Sequence, residues 1–296
     1  MPSMHAARAE QFRQAKRIHG GLVGLCVATL GVKLARIPIP SKLLRERLYR
    51  VIFGQKYRAL DERELERPLG DFRSFQELFT RGVRPELRPI ADDARSLTCP
   101  CDSVVQDLGV LQADRLLTVK GISYTLSDLA PQVDVDSFAS GAYAIFFLSP
   151  ADCHRVFAPA AGAITELIHI PGRRLLVHPP YQREEFPVFS LNERVVMRLA
   201  TPHGELLLIL VAGWGVGNIT LPSGLPIPRR RGRIARTPLA NPLPVDRGQW
   251  MATFEIGSTV ILLAPNHWRL RPVIERDQAV QYGQPAFTLL DGDRAA

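Results

Sequence analysis

Apolar positions along this chain follow two rhythms. Upstream of about residue 90 they recur at helical spacing, and downstream they gather in short runs broken by Gly and Pro. The first apolar stretch runs from Gly20 to Val32 between Lys16, Arg17 and Lys33. It is about 13 residues long, whereas a membrane-crossing helix needs roughly 20. A secretory signal has the same outline. However, no small-x-small cleavage site with a polar sequence follows, and Lys33 to Arg58 continues basic and helix-like. The pattern therefore predicts a segment that dips into a membrane interface without crossing. In Ser41 to Phe53, Leu44, Leu48, Val51 and Ile52 fall on one helical stripe, with Lys42, Arg45, Arg47 and Arg50 around the rest. A basic amphipathic helix of this kind is drawn to anionic lipid. The plain alternative is a solvated helix packed on the protein's own core. Nucleic acid, a third kind of partner for a basic arm, is disfavoured because no aromatic platform or recognition motif accompanies the basic residues.

Residues Asp71 to Ile90 predict a short helix over Ser74–Arg81, opened by the capping pair Ser74 and Glu77 and followed by a Pro-punctuated connection. A boundary near Pro89 divides the chain into a basic helical region, 1–88, and a β-rich body, 89–296. The body's expected strands are Ser103–Val105, Arg115–Val119, Ala142–Leu148, Ala163–His169, Arg194–Leu199, Glu205–Ala212 and Thr259–Leu263. The expected class is α+β, with a mainly antiparallel β body and N-terminal amphipathic helices that associate with membrane.

Charge sharpens this division. Of 296 residues, 37 are Lys or Arg and 29 are Asp or Glu, a net of +8. The first 60 residues hold about 12 of the cations against two Glu, so the remainder is slightly acidic. Four cysteines, Cys26, Cys99, Cys101 and Cys153, lack the number and spacing of a disulfide framework or a metal site. They read as reduced thiols of a cytosolic compartment, and no metal is expected. Dinucleotide, Walker, nucleophile-elbow and HExxH motifs are missing.

Three places set polar residues among apolar ones: Pro100-Cys101-Asp102-Ser103, the run Leu148 to Pro159 containing His154, and Phe254 to Leu263 containing Gly257-Ser258. Each has a structural reading: a turn cap, a core histidine and a strand bulge. Together they supply a carboxylate, an imidazole and a hydroxyl beside a glycine, the ingredients of nucleophilic chemistry at a serine.

These stretches, with FRSFQELFTRGVRPELRPI, VKGISYTL, LNERVV, PIPRRRGRIAR and IGSTVILLAP between Phe72 and Pro265, resemble the phosphatidylserine decarboxylase family. The resemblance implies a proenzyme that cleaves itself between Gly257 and Ser258. Ser258 Oγ would attack the Gly257 carbonyl, and β-elimination and hydrolysis would leave a pyruvoyl group derived from Ser258. The chain would become a large and a small chain, the latter about 39 residues long. The pyruvoyl would form a Schiff base with phosphatidylserine, accept the electrons released with CO2 and yield phosphatidylethanolamine. The resemblance casts His154 as proton donor in decarboxylation and Asp102 as the group orienting the base for self-cleavage. It gives Arg229–Arg236 as a basic loop, open between phosphate recognition and a solvated charge run. It also implies an anionic membrane surface as partner, a peripheral location on the cytoplasmic side of the cell membrane, and leaves a homo-oligomer open.

Two positions depart from the family pattern. Its second histidine, the processing base, falls on Phe157, and the glycine after the aspartate is Ser103. Either His154 serves both steps, or His169 or His178 reaches Ser258, or the chain is an unprocessed, inactive homologue that binds anionic phospholipid. A pyruvoyl enzyme for a soluble amino acid is a further alternative, which the basic arm disfavours.

Overall fold

Alternation of side chains across one large sheet explains most of the architecture. The computed structural model describes residues 10, 13, 21–54, 60–113, 115–117, 122–177, 182, 187–213, 219–221, 227, 232–255 and 258–290. Its helices are α1 (Gly21–Ala35), α2 (Lys42–Gly54), α3 (Phe75–Phe79), α4 (Leu126–Leu129) and α5 (Val188–Leu191). The strands are β1 (Ser96–Thr98), β2 (Ser103–Val110), β3 (Arg115–Leu117), β4 (Ser123–Thr125), β5 (Ala142–Leu148), β6 (Arg155–Phe157), β7 (Gly162–Ile170) and β8 (Arg194–Thr201). They continue as β9 (Gly204–Ala212), β10 (Ile219–Thr220), β11 (Ala235–Val245), β12 (Trp250–Phe254), β13 (Ser258–Ala264), β14 (Leu270–Pro272), β15 (Ala279–Val280) and β16 (Pro285–Leu289).

Eight strands pair antiparallel in the order β11-β7-β8-β9-β13-β5-β2-β15. The α+β class with a mainly antiparallel body is therefore the observed one. Strand β13 lies inside this sheet, with Ser258 opposite Leu148 on β5 and Ala212 on β9. All seven of its residues are buried, which explains a continuous apolar run rather than a half-polar one. Side chains alternate between two cores. Val260, Leu262, Leu208, Leu210, Phe146 and Leu148 face a layer containing the small sheets β10-β12-β6 and β1-β16-β14. Ile261, Leu263, Ile209 and Ile145 face α4, α5 and the β3–β4 hairpin. Each large apolar side chain so buried contributes roughly 1.5–3 kcal/mol.

The helices upstream of residue 80 have their own core of Tyr49, Phe53, Leu65, Leu69, Phe72 and Leu78. Ala151 joins it from the loop between β5 and β6. Helix α3 starts where expected: Ser74 Oγ accepts from the Glu77 amide, and the Glu77 carboxylate accepts from the Arg73 amide. It ends at Phe79, short of Arg81, with Thr80 closing the turn.

Helix α2 carries apolar residues on more than one side. Its buried contacts come from Tyr49, tilted against Phe75 and donating to the Phe72 carbonyl, and from Phe53, stacked on Phe75. Leu44, Leu48, Val51 and Ile52 face outward instead. Apolar residues thus occupy both sides of α2, and a clean polar-against-apolar division is not what it presents. Nor are its cations all unpaired. Lys42 pairs with Asp71, Arg50 with Glu62, and Arg45 donates to the carbonyls of Gly70 and Ile39. Val23, Leu30, Leu34 and Ile37, on and just after α1, are also exposed. No helix among the described residues is long and apolar enough to cross a membrane.

Candidate active site at the start of the central strand

Ser258 opens β13 and is completely buried, and its Oγ has no hydrogen-bond partner among the described residues. Because β5 and β9 clamp β13 from both sides, Ser258 is held by backbone pairing rather than by its side chain. Ile256 and Gly257, the residue expected on the other side of the cleavage bond, lie outside the described residues.

His154 approaches this strand end from two directions. The loop that carries it leaves β5 at Leu148, the register partner of Ser258. Its own carbonyl accepts from the amide of Phe254, four residues upstream of Ser258. The imidazole is fully buried, and its ring centroid lies 3.8 Å from that of Phe79. Nδ1 is 3.0 Å from the Asp152 carbonyl oxygen. A carbonyl only accepts, so Nδ1 carries the hydrogen and Nε2 presents a bare lone pair. No described group bonds that Nε2. Burial, with the nearby charge of Arg81, pulls the imidazole down to about 3, so it is neutral at physiological pH. Arg81 is itself buried, donates to the carbonyls of Leu78 and Ala151, and anchors the loop to α3.

Asp102 is placed differently from the sequence expectation. Its carboxylate faces Arg88, whose Nε lies 3.1 and 3.2 Å from the two oxygens and whose Nη2 is 2.9 Å from Oδ2. Arg88 also reaches Glu64 at 2.8 Å, and Asp102 Oδ1 accepts from the Tyr282 amide at 3.0 Å. Among the described residues no histidine is bonded to Asp102. Phe157, at the position of the expected second histidine, stacks on Tyr282 with centroids 3.7 Å apart and packs with Val83 and Cys153. An arginine thus occupies the carboxylate that an imidazole would otherwise engage. A polar cavity of about 210 Å³ lies beside this network, lined by Asp61, Glu64, Arg81, Arg88, Asp102 and Asp152 among others.

The substitute bases fare unequally. His169 Nε2 bonds Glu193 at 3.0 Å, and Arg174 holds the other Glu193 oxygen. His169 sits on β7, three strand positions from β13, roughly 14 Å across the sheet. It does not reach Ser258. His178 lies outside the described residues. In the basic loop, Arg236 is tied to Glu166 by two bonds of 2.7 and 2.9 Å, while 229–231 lie outside the described residues. Cys99, Cys101 and Cys153 are buried free thiols, those of Cys99 and Cys153 pushed up to about 12 by burial.

Sequence reasoning missed Arg88, Phe79 and Arg81, although all three lie in the stretch quoted for the resemblance. Their roles depend on contacts with residues far along the chain, and no local periodicity announces them.

Comparison with known proteins identifies the family. The family model for phosphatidylserine decarboxylase matches residues 75–288. A phosphatidylserine decarboxylase proenzyme of Anaeromyxobacter sp. (strain K) is 36% identical over 256 residues, covering 84% of this chain and 88% of the relative. That of Bordetella pertussis is 37% identical over 218 residues, 71% of this chain and 73% of the relative. That of Halorhodospira halophila is 34% identical over 260 residues, 88% and 87% respectively.

Proposed function

The chain belongs to the phosphatidylserine decarboxylase family, and from that premise we propose that it decarboxylates phosphatidylserine to phosphatidylethanolamine after cleaving itself between Gly257 and Ser258. The observation that carries this reading is a buried serine hydroxyl without a partner at the head of a strand clamped on both sides. In the first step Ser258 Oγ adds to the Gly257 carbonyl carbon and the amide becomes an ester. Loss of the Ser258 α-proton then expels the upstream carboxylate and leaves a dehydroalanine. Water hydrolyses it with release of ammonia, giving the pyruvoyl end.

The residues present suit such a group. Breaking the bond before Ser258 leaves β13 hydrogen-bonded to β5 and β9, β15 to β2, and β16 to β1. The small chain therefore stays woven into the large one, and the new terminus stays dry and fixed. When formed, the pyruvoyl supplies an electron sink for an amine-bearing carboxylate. His154 is the base that takes the Ser258 hydroxyl proton, because its Nε2 is bare, buried and unpartnered. In turnover the substrate's ammonium, which must shed a proton to react, supplies one to Nε2, and the imidazolium, acidic in this apolar setting, hands it to carbon after CO2 leaves. Asp102 acts through structure, by holding Arg88 and Tyr282.

We assign residues 1–88 to a membrane-docking unit and 89–296 to the catalytic body. The exposed Leu44, Leu48, Val51 and Ile52, together with Leu30 and Leu34, would lie in the lipid interface of the cytoplasmic face, as a peripheral attachment. Arg47, which has no partner among the described residues, adds attraction to anionic lipid.

A second reading has its own support. The stacking of Phe157 on Tyr282 and the capture of Asp102 by Arg88 suit an unprocessed homologue that binds phospholipid without turnover. Intact mass decides between them. The enzyme gives two chains, the smaller of about 39 residues with a pyruvoyl end, and Ser258→Ala leaves one inactive chain of 32.9 kDa. A wild-type chain that stays whole and releases no CO2 from phosphatidylserine vesicles overturns the decarboxylase. A whole chain that does release CO2 overturns the pyruvoyl route.

A further inference from the structure

A polar groove of about 340 Å³ runs between the N-terminal helical unit and the β6–β12–β10 sheet. Its size falls in the range of small-ligand sites. One wall is built by Arg67, Glu77 and Thr80, and the other by Arg155, Trp250 and Glu255. Two of its lining residues lie close in sequence to the reactive groups: Arg155 directly follows His154, and Glu255 stands three residues before Ser258. Gln76 and Glu255 are bridged by Arg36, which flanks the exposed Leu34 and Ile37 and pairs with Glu255 at 2.6 Å. The groove thus borders the outward apolar surface and carries the residues that flank the reactive strand end in the chain.

Arg155 is presented in it as a ready anion receptor. Its guanidinium carbon lies over the Trp250 ring, 4.3 Å from the centroid. Trp250 is fixed in turn, its Nε1 donating to Thr253 Oγ1 and to the Ala252 carbonyl at 2.9 Å. The hydrogen bonds Arg155 makes are long, 3.4 Å to the Thr80 carbonyl and 3.2 and 3.4 Å to Glu66, and its Nη1 bonds nothing among the described residues. Gly82 leaves the room this requires, since a Cβ there would collide with Arg155 Nη1 and Glu66 Oε2. A planar, aromatic-backed fork with unspent donors suits the two free oxygens of a phosphodiester.

We propose that this groove is a headgroup site in which Arg155, backed by Trp250, receives the phosphodiester of a glycerophosphoserine group. The inference rests on the decarboxylase reading for the identity of the ligand. It adds the site: a lipid whose chains lie against the helices places its phosphate on Arg155, leaving the serine end to extend past His154 toward Ser258. Glu66 is the resident carboxylate that the phosphate displaces from the guanidinium.

Binding of water-soluble glycerophospho-L-serine to the full-length Ser258→Ala chain tests this without any turnover. Calorimetry should show binding that Arg155→Gln weakens at least about tenfold, with Arg155→Lys intermediate and Trp250→Leu weaker by about threefold. Free L-serine should bind far more weakly and should not respond to Arg155. The thermal midpoint of each variant checks that it is folded. Equal binding in Arg155→Gln, or equal affinity for serine and glycerophosphoserine, overturns the site. In the processed enzyme, Arg155→Gln should raise KM for phosphatidylserine vesicles about tenfold with kcat little changed. A fall in kcat at constant KM also overturns it. If the wild-type chain never matures, the calorimetric result still stands or falls by itself, so failure of the function and failure of the site are separable.

Discussion

The imidazole of His154 rests against the ring of Phe79, centroids 3.8 Å apart and planes inclined at 40°. One residue belongs to the helical unit and the other to the loop leading from β5 to β6. The packing of the N-terminal region therefore sets the position of the histidine on the loop that leaves β5 opposite Ser258. Phe79→Leu keeps much of the volume and removes the flat surface. It should leave the fold intact while slowing decarboxylation at least about tenfold, in line with loss of an aligned acid–base group. Phe79→Ala should also destabilise the chain by roughly 3–5 kcal/mol. Chemical denaturation and vesicle-based CO2 release measure the two effects. Full activity in Phe79→Leu would show that the ring does not position the imidazole.

The pH dependence of stability follows from the same histidine. Burial and the Arg81 charge hold His154 at about 3 in the folded chain, against 6.5 when exposed. Between these values the unfolded chain binds a proton that the folded chain refuses. The stabilising contribution is thus complete above pH 6.5 and is lost as pH falls toward 3, at roughly 1.4 kcal/mol per unit. His154→Gln should flatten this part of the stability curve, recorded as denaturation midpoint against pH in the Ser258→Ala background. An unchanged slope would mean that the imidazole is protonated in the folded state.

Asp102 and Arg88 form a buried pair, both nearly inaccessible, with Glu64 and the Tyr282 amide completing the network. Asp102→Asn leaves a buried guanidinium without its main counter-charge and should cost roughly 3–5 kcal/mol. Measuring it in the Ser258→Ala chain removes self-cleavage from the comparison. A stability loss there identifies a structural role, whereas an unaltered midpoint would return Asp102 to the processing machinery.

Helix α2 offers a paired test. Leu44→Glu with Leu48→Glu alters outward-facing residues, so it should weaken sedimentation with anionic vesicles at least about tenfold and leave the thermal midpoint nearly unchanged. Tyr49→Ala, which empties the space beside Phe75, should do the reverse. Equal vesicle binding in the Leu44/Leu48 variant would remove that stripe from the docking surface.

Phe157→His restores an imidazole where Phe157 now stacks on Tyr282. If the missing base limits maturation, two-chain product should accumulate at least several-fold faster, as read by intact mass over time. An unchanged rate would leave His154 as the sufficient base.

Much of the body was legible in the residues alone. The run Ala142–Leu148 is β5 to the residue, and Glu205–Ala212 and Thr259–Leu263 lie within one residue of β9 and β13. Such runs can be read because a strand buried on both faces shows as a near-continuous apolar run. The candidate serine and histidine were legible too, since local motifs carry them. By itself the sequence determined the class of fold, the polarity of the N-terminal region and the chemistry at hand. Only the tertiary structure decided which side of α2 faces out, that Arg88 occupies Asp102, that His169 stands three strands from Ser258, and which nitrogen of His154 is bare. Each depends on how separate elements pack in space, including contacts that no periodicity announces. Helical or strand periodicity records how often a side chain returns to one face, and carries no information about what stands opposite it.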